Sequence, residues 1–276
     1  MKFEKGLAVI GCGNLARSLL KAWLKNKIFK KSEMITLNRS QSSLKKNKKF
    51  CIHAFKSPEL FRKKMSAKKI LIIGVKPQEF FSTLDQFMDD FVDGQIIVSI
   101  AAGIPPSKIE KYISKKSSRK VSVLTAMPNL AASVGASMTT LYAAKKYSKS
   151  MISEVEALFS VCGKVEKSQE KNFHQFTVLG GSVPAFVFEY LKTYEDEFKK
   201  HGFTQKKAKS SVLQVFQGAL DYYAVSSQSL DRLQSEVASK GGCTQKGIDV
   251  LQSKPARQLF KKHLKSAYDR AKNLDS

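Results

Sequence analysis

Short apolar runs alternate with amphipathic stretches along the first two thirds of the chain. Leu7–Ile10, Met34–Leu37 and residues 70–75, 96–100 and 121–124 are four to six residues of mostly Val, Ile, Leu and Met. That length and composition predict strands buried on both faces. Residues 15–26 and 79–91 space their apolar positions three and four apart, the period of a helix with one face on a core. Residues 150–159 read as a further helix and 163–165 as a further short strand. Strands alternating with helices predict an α/β fold, a doubly wound parallel sheet of the Rossmann type over residues 1–167.

From about residue 168 the strand runs stop. Helical patterns cover residues 172–179, 184–201, 205–226, 230–238 and 244 to the end, with breaks at Gly202 and at Gly241-Gly242. Val187, Leu191, Tyr194 and Phe198 keep one face apolar. Residues 168–276 are therefore expected to form a second, all-helical domain of about a hundred residues. No internal repeat and no low-complexity linker is evident.

Composition narrows the class. The 276 residues are 42% hydrophobic, enough to fold around a core. No apolar run reaches the roughly 18 residues of a membrane helix. The opening residues 1–5 lead directly into Leu7–Ile10, too short for a signal-peptide core, so this run is read as the first strand. Cys12, Cys51, Cys162 and Cys243 lie far apart with no CxxC pair, as expected of reduced thiols in a cytoplasmic enzyme. His53, His174, His201 and His263 lack metal-ligand spacing, and no metal is expected.

The net charge of +25 admits a nucleic-acid binder or a solvated lysine surface that draws in anions. The lysines are spread along the whole chain. The densest run, Lys45-Lys46-Asn47-Lys48-Lys49, has no interleaved aromatics for base stacking. The solvated surface is the better reading, and neither nucleic acid nor membrane is expected as a partner.

Chemistry enters at the end of the first strand. Gly11-Cys12-Gly13-Asn14-Leu15-Ala16 is G-x-G-x-x-A between a strand and a helix, a form of the dinucleotide fingerprint. Gly11 permits the tight turn, Gly13 lets backbone approach a pyrophosphate, and Ala16 lets the helix sit close on the strand. The helix N-terminus offers free amides to phosphate. The second strand ends in Asn38-Arg39, where NAD enzymes usually place an acid. Arg39 can pair with a 2′-phosphate, so NADP(H) is expected in preference to NAD(H), which stays the alternative. Val75-Lys76-Pro77 and Ala101-Ala102-Gly103 follow two further strands, and ligands of such sheets sit at the carboxyl ends of strands.

These residues belong to a longer pattern. Ile10-Gly11-Cys12-Gly13-Asn14, Val75-Lys76-Pro77, Val98-Ser99-Ile100-Ala101-Ala102-Gly103, Ala126-Met127-Pro128-Asn129, Gly181-Ser182-Val183-Pro184-Ala185-Phe186-Val187-Phe188 and Val237-Ala238-Ser239-Lys240-Gly241-Gly242-Cys243-Thr244 occur in an order and spacing that resemble the pyrroline-5-carboxylate reductases over nearly the whole chain. The resemblance implies hydride transfer from NAD(P)H to the C=N carbon of 1-pyrroline-5-carboxylate, giving L-proline. It adds Asn129 to the cofactor residues. It also implies a homodimer or larger homo-oligomer, with the active site shared between the helical domains of two subunits.

Several positions depart from the family. Thr125 stands for its arginine and Leu130-Ala131 for Thr-Pro. Val183 replaces a glycine, Lys240 a proline, Cys243 a threonine, and Ser229-Leu230 stands for His-Pro. They mark a divergent member. Two alternatives follow: reduction of another cyclic imine or carbonyl, or a catalytically weak dinucleotide-binding protein with a regulatory role.

Ser239, Gly241, Gly242, Cys243 and Thr244 form the candidate substrate site. Two glycines before a helix let several amides converge on a carboxylate. Ser239 can cap or donate, and Lys240 adds charge. In the family the last threonine of this motif lies near the imine nitrogen. Thr244 is accordingly the candidate catalytic residue, polarising that nitrogen and relaying a proton from water, because its hydroxyl is too weak an acid to act alone. Cys243 has no nearby histidine to activate it, so covalent catalysis is not expected.

Overall fold

Alternate residues of each central strand enter two different hydrophobic layers, which is why these strands are apolar from end to end. In the computed structural model, which describes residues 6–50 and 53–274, Leu7, Val9, Ile70, Ile72, Ile96 and Val98 join one layer with Leu19, Leu20, Trp23 and Phe159. Ala8, Ile10, Leu71, Ile73 and Ile97 face the other, against Phe61, Phe80, Leu84 and Phe87. Residues 1–5, read above as the lead into the first strand, and Cys51 lie outside the described residues.

The strands are β1 (Leu7–Ile10), β2 (Met34–Leu37), β3 (His53–Phe55), β4 (Ile70–Ile73), β5 (Ile96–Ser99), β6 (Ser122–Met127), β7 (Ser137–Ala143) and β8 (Gly163–Lys167). They form one sheet in the order β3-β2-β1-β4-β5-β6-β7-β8. The first six are parallel in the dinucleotide-binding order 3-2-1-4-5-6. β7 is antiparallel to β6 and β8 parallel to β7. The helices are α1 (Asn14–Lys25), α2 (Gln41–Asn47), α3 (Pro58–Met65), α4 (Phe80–Phe87), α5 (Pro106–Lys116), α6 (Lys149–Ser160), α7 (Phe173–Phe176), α8 (Val183–Lys200), α9 (Gln205–Val225), α10 (Leu230–Val237), α11 (Cys243–Gln252) and α12 (Lys254–Lys272).

The differences from expectation are local. The strand expected over 70–75 stops at Ile73, because Gly74 and Val75 turn into the next loop. The helix expected over 79–91 ends at Phe87 and tightens into a 3-10 turn, Met88–Asp90. The helix expected over 172–179 is α7 followed by a π-helical turn, Thr177–Ser182. The helix expected from 244 to the end is two helices that break at Ser253, where Pro255 in the first turn of α12 has no amide to continue the ladder.

The described chain divides into two compact units: one runs to Ser182 and resumes at Tyr268, the other is Val183–Ala267. The first therefore takes in residues 168–182, beyond the change of texture at 168. Within the second, α8 and α9 are joined at Gly202, whose φ of +82° closes α8. The amide of Phe203 returns to the carbonyl of Phe198 at 3.2 Å and the two rings meet edge-on at 5.2 Å, a helix-ending motif with its hydrophobic contact. Only Ala208 and Val212 are deeply buried in this unit, while Phe188, Leu213, Val215, Leu220 and Tyr222 stay exposed.

Candidate cofactor cleft and anion-binding turn

β1 lies between β2 and β4, so the chain leaves it toward one side of the sheet and later resumes on the other. The carboxyl ends of β1 and β4 bound a crevice at this switch point, the usual ligand position in such sheets. A cleft of about 560 Å³ occupies it, lined among others by Gly11, Cys12, Gly13, Asn38, Arg39, Ser43, Lys56, Val75, Lys76 and Glu79.

The two glycines of the fingerprint do different work. Gly11 has φ +80°, and a Cβ there would lie 2.6 Å from the amide nitrogen of Val75, so the crossing of the two loops requires glycine. Gly13 is the N-cap of α1 and brings no side chain to its orphan amides. A Cβ at Gly13 would meet nothing within 4 Å and would project into open space. The empty approach and the uncapped helix start fit a pyrophosphate. The Arg17 guanidinium donates to the Cys12 carbonyl at 3.1 Å and to the Asn14 side chain, bracing the loop from the first turn of the helix.

The end of β2 divides its two candidates. Asn38 is only 2% exposed. Its amide donates to Thr36 Oγ1 at 3.0 Å and to the Phe55 carbonyl at 3.1 Å, and its Oδ1 accepts from Asn47. Asn47 also reaches the Cys12 carbonyl, at 3.1 Å. Asn38 is thus a strut joining β2, β3, α2 and the glycine loop. The Arg39 side chain is 77% exposed and forms an ion pair with Glu79, which follows β4 on the other side of the crevice.

Pro77, Asn14, Leu15, Ala101, Ala102, Gly103 and Asn129 are not among the residues that line this cleft. Pro77 opens a 3-10 turn, Pro77–Glu79, and Lys76 is its N-cap. Asn14 and Leu15 open α1. Ala101 is buried, its amide donating to Ser99 Oγ at 3.2 Å, and Ala102 follows it in the loop. Gly103 has φ +81°, and a Cβ there would come within 2.6 Å of Leu274 Cβ, so this glycine admits the C-terminal segment. Asn129 donates to the Gly180 carbonyl at 2.9 Å and accepts from the Ala131 amide at 3.0 Å.

Glu79, Lys56, Ser43 and Arg17 join the site without having been picked out in the sequence. Ser43 and Lys56 belong to α2 and the end of β3, short elements with no apolar run to announce them. Glu79 and Arg17 are ordinary helix-start residues until the tertiary fold faces them to the cleft or to the glycine loop.

Ser239, Gly241, Gly242, Cys243 and Thr244 stand together in the second unit, on the turn that opens α11. Gly241 has φ +75°. The Gly242 amide donates to the Ser239 carbonyl at 2.9 Å, and a Cβ at Gly242 would lie 2.6 Å from Ser239 Oγ and 3.1 Å from that carbonyl. Gly242 is the N-cap of α11 with no side-chain cap, which leaves the first-turn amides to a ligand. Thr244 is half-buried in this first turn, whereas Cys243 and Lys240 are exposed.

Two family models match the chain. Residues 170–274 fit the model described as pyrroline-5-carboxylate reductase dimerisation. Residues 6–103 fit the model described as NADP oxidoreductase, coenzyme F420-dependent. The chain is 26% identical over 250 residues to pyrroline-5-carboxylate reductase 2 of Bacillus subtilis, covering 90% of this chain and 87% of that protein. Among solved structures, a pyrroline-5-carboxylate reductase from Coxiella burnetii superposes with a TM-score of 0.80 at 28% identity, covering 99% of both chains. The pyrroline carboxylate reductase of Plasmodium falciparum, solved with NADP bound, superposes with a TM-score of 0.87 at 22% identity over the whole of both chains.

Proposed function

We propose that the chain is a divergent member of the pyrroline-5-carboxylate reductase family and that it reduces the C=N bond of 1-pyrroline-5-carboxylate to L-proline with NADPH. The observation that carries the cofactor half of this reading is Gly13, an uncapped helix start with open space where a side chain would be. Gly11, Gly13 and the first turn of α1 would hold the pyrophosphate, and Arg39 the 2′-phosphate. Val75, Lys76, Ala101 and Ala102 would border the ribose and nicotinamide. Bound NADPH supplies the hydride that goes to the imine carbon.

The substrate carboxylate is assigned to the amides of the Gly241-Gly242 turn and the start of α11, with Ser239 as a further donor. The Thr244 hydroxyl hydrogen-bonds the ring nitrogen and passes it a proton from water. The turn contains neither histidine nor carboxylate, so much of the rate is assigned to holding imine and nicotinamide together. The apolar side chains that the second unit leaves exposed call for a second copy, giving a homodimer or larger homo-oligomer working in the cytoplasm. Steady-state oxidation of NADPH with 1-pyrroline-5-carboxylate tests the proposal. Turnover is expected, and NADPH binding without turnover overturns it.

A further inference from the structure

We propose that Glu79 is a second determinant of cofactor choice, one that opposes Arg39. Arg39, Lys56 and Lys76 bring positive charge to the cleft, and among its described lining residues Glu79 is the sole carboxylate. Glu79 comes from the far side of the switch point, forty residues along the chain from Arg39, yet its carboxylate takes the Arg39 guanidinium. Its backbone is fixed: the Glu79 carbonyl accepts from Thr83 Oγ1 at 2.6 Å and from Ser82 Oγ at 3.1 Å. The β2 end has no acid of its own, so Glu79 is the group placed to do what that acid does elsewhere.

The chemistry gives this carboxylate opposite effects on the two cofactors. A carboxylate accepts a hydrogen bond from a 2′-hydroxyl and repels a 2′-phosphate. NADPH must draw Arg39 away from Glu79, whereas NADH leaves the pair intact. The exchange is easy, because the two side chains are 77% and 40% exposed and such pairs are weak. Glu79 therefore restrains the NADPH preference that Arg39 confers. This inference rests on the reading of Arg39 as the 2′-phosphate partner.

The test is binding, read by fluorescence titration of NADPH and NADH without substrate, on the full chain and on Glu79→Gln, Arg39→Ala and the double variant. Glu79→Gln should tighten NADPH by roughly two- to fivefold, the range of an exposed charge pair, and leave NADH unchanged or weaker. The double variant should show no such gain over Arg39→Ala. If Arg39→Ala loses NADPH selectivity while Glu79→Gln leaves the ratio of dissociation constants unchanged, Glu79 has no such role and the Arg39 reading stands. If Arg39→Ala also leaves the ratio unchanged, the Arg39 reading fails and this inference with it.

Discussion

The side-chain amide of Asn129 donates to the carbonyl of Gly180 at 2.9 Å, and this is the carbonyl that Pro184, four residues on, has no amide hydrogen to meet. The chain widens into a π-helical turn, Thr177–Ser182, at the same place. The Asn129 amide nitrogen donates to Ser137 Oγ at 3.0 Å, so the residue links β6, β7 and the π turn. Asn129→Ala would strand a buried carbonyl, and a loss of about 1–3 kcal/mol in stability is expected. Urea unfolding should show a lower midpoint. An unchanged midpoint would mean that the Gly180 carbonyl has another partner.

Gly11 and Gly13 should separate folding from binding. Gly11→Ala places a methyl 2.6 Å from the Val75 nitrogen at φ +80°, so it should lower both thermal stability and NADPH affinity. A Cβ at Gly13 meets nothing within 4 Å, so Gly13→Val should unfold like the parent while filling the phosphate approach and losing NADPH binding. Thermal unfolding and NADPH titration on the two variants decide this. Retained binding in Gly13→Val would remove the pyrophosphate from this site.

Charge reversal at Arg39 should act on one cofactor. Arg39→Asp is expected to raise the KM for NADPH by roughly tenfold, the low end for losing a hydrogen bond between charged groups, and to spare or improve that for NADH. NADPH binding to the parent should also weaken with salt more steeply than NADH binding, since Arg39 is exposed and screened. Equal affinity of the parent for both cofactors contradicts the assignment.

What could be read from the sequence follows what each pattern encodes. β1, β4 and β5 are buried on both faces and announce themselves as apolar runs. β7 does not, because Ser137, Thr139 and Thr140 are buried polar residues within a strand. β3 is three residues long and half-buried, too little for a pattern. The glycine loop and the Ser239–Thr244 turn are legible as glycine motifs, and Gly11 and Gly241 do take the positive φ that favours glycine. The burial of Asn38 and the pairing of Arg39 with Glu79 were not, since both depend on elements far apart in the chain.

Cys162 and Cys243 should differ in reactivity, and Cys162 should shape the alkaline stability of the fold. Burial pushes the Cys162 thiol up to about 12, against an opposing hydrogen bond from Trp23, while Cys243 is exposed. Iodoacetamide at mildly alkaline pH should label Cys243 and leave Cys162 unmodified, as read by peptide mass mapping. A thiol raised in the folded state contributes stability that is complete below its unfolded pKa and is lost as pH rises through the folded value. Stability should therefore fall between the ordinary thiol value of 9 and about 12, and Cys162→Ala should flatten that decline. Burial also pushes the hydroxyls of Tyr142 and Tyr147 upward, so part of the decline should remain in the variant. Labelling of Cys162 in the native protein would show that the thiol is reached by solvent.

Thr244→Ala should reduce turnover by roughly ten- to a hundredfold if its hydroxyl assists at the imine nitrogen in the transition state. The amides of Gly242 and the α11 start remain, so binding of proline, a non-reacting analogue, should change much less. Gly242→Val should do the reverse, since its side chain would collide with Ser239. Full turnover in Thr244→Ala would leave water alone to protonate the nitrogen.

The central claim is hydride transfer to the imine carbon, and isotope transfer tests it most directly. NADPH carrying deuterium at both nicotinamide C4 positions is incubated with the protein and 1-pyrroline-5-carboxylate, and the product is analysed by mass spectrometry and NMR. Proline bearing one deuterium at C5, formed in step with NADPH oxidation, is the predicted result. Tight NADPH binding with no deuterated proline would contradict the account.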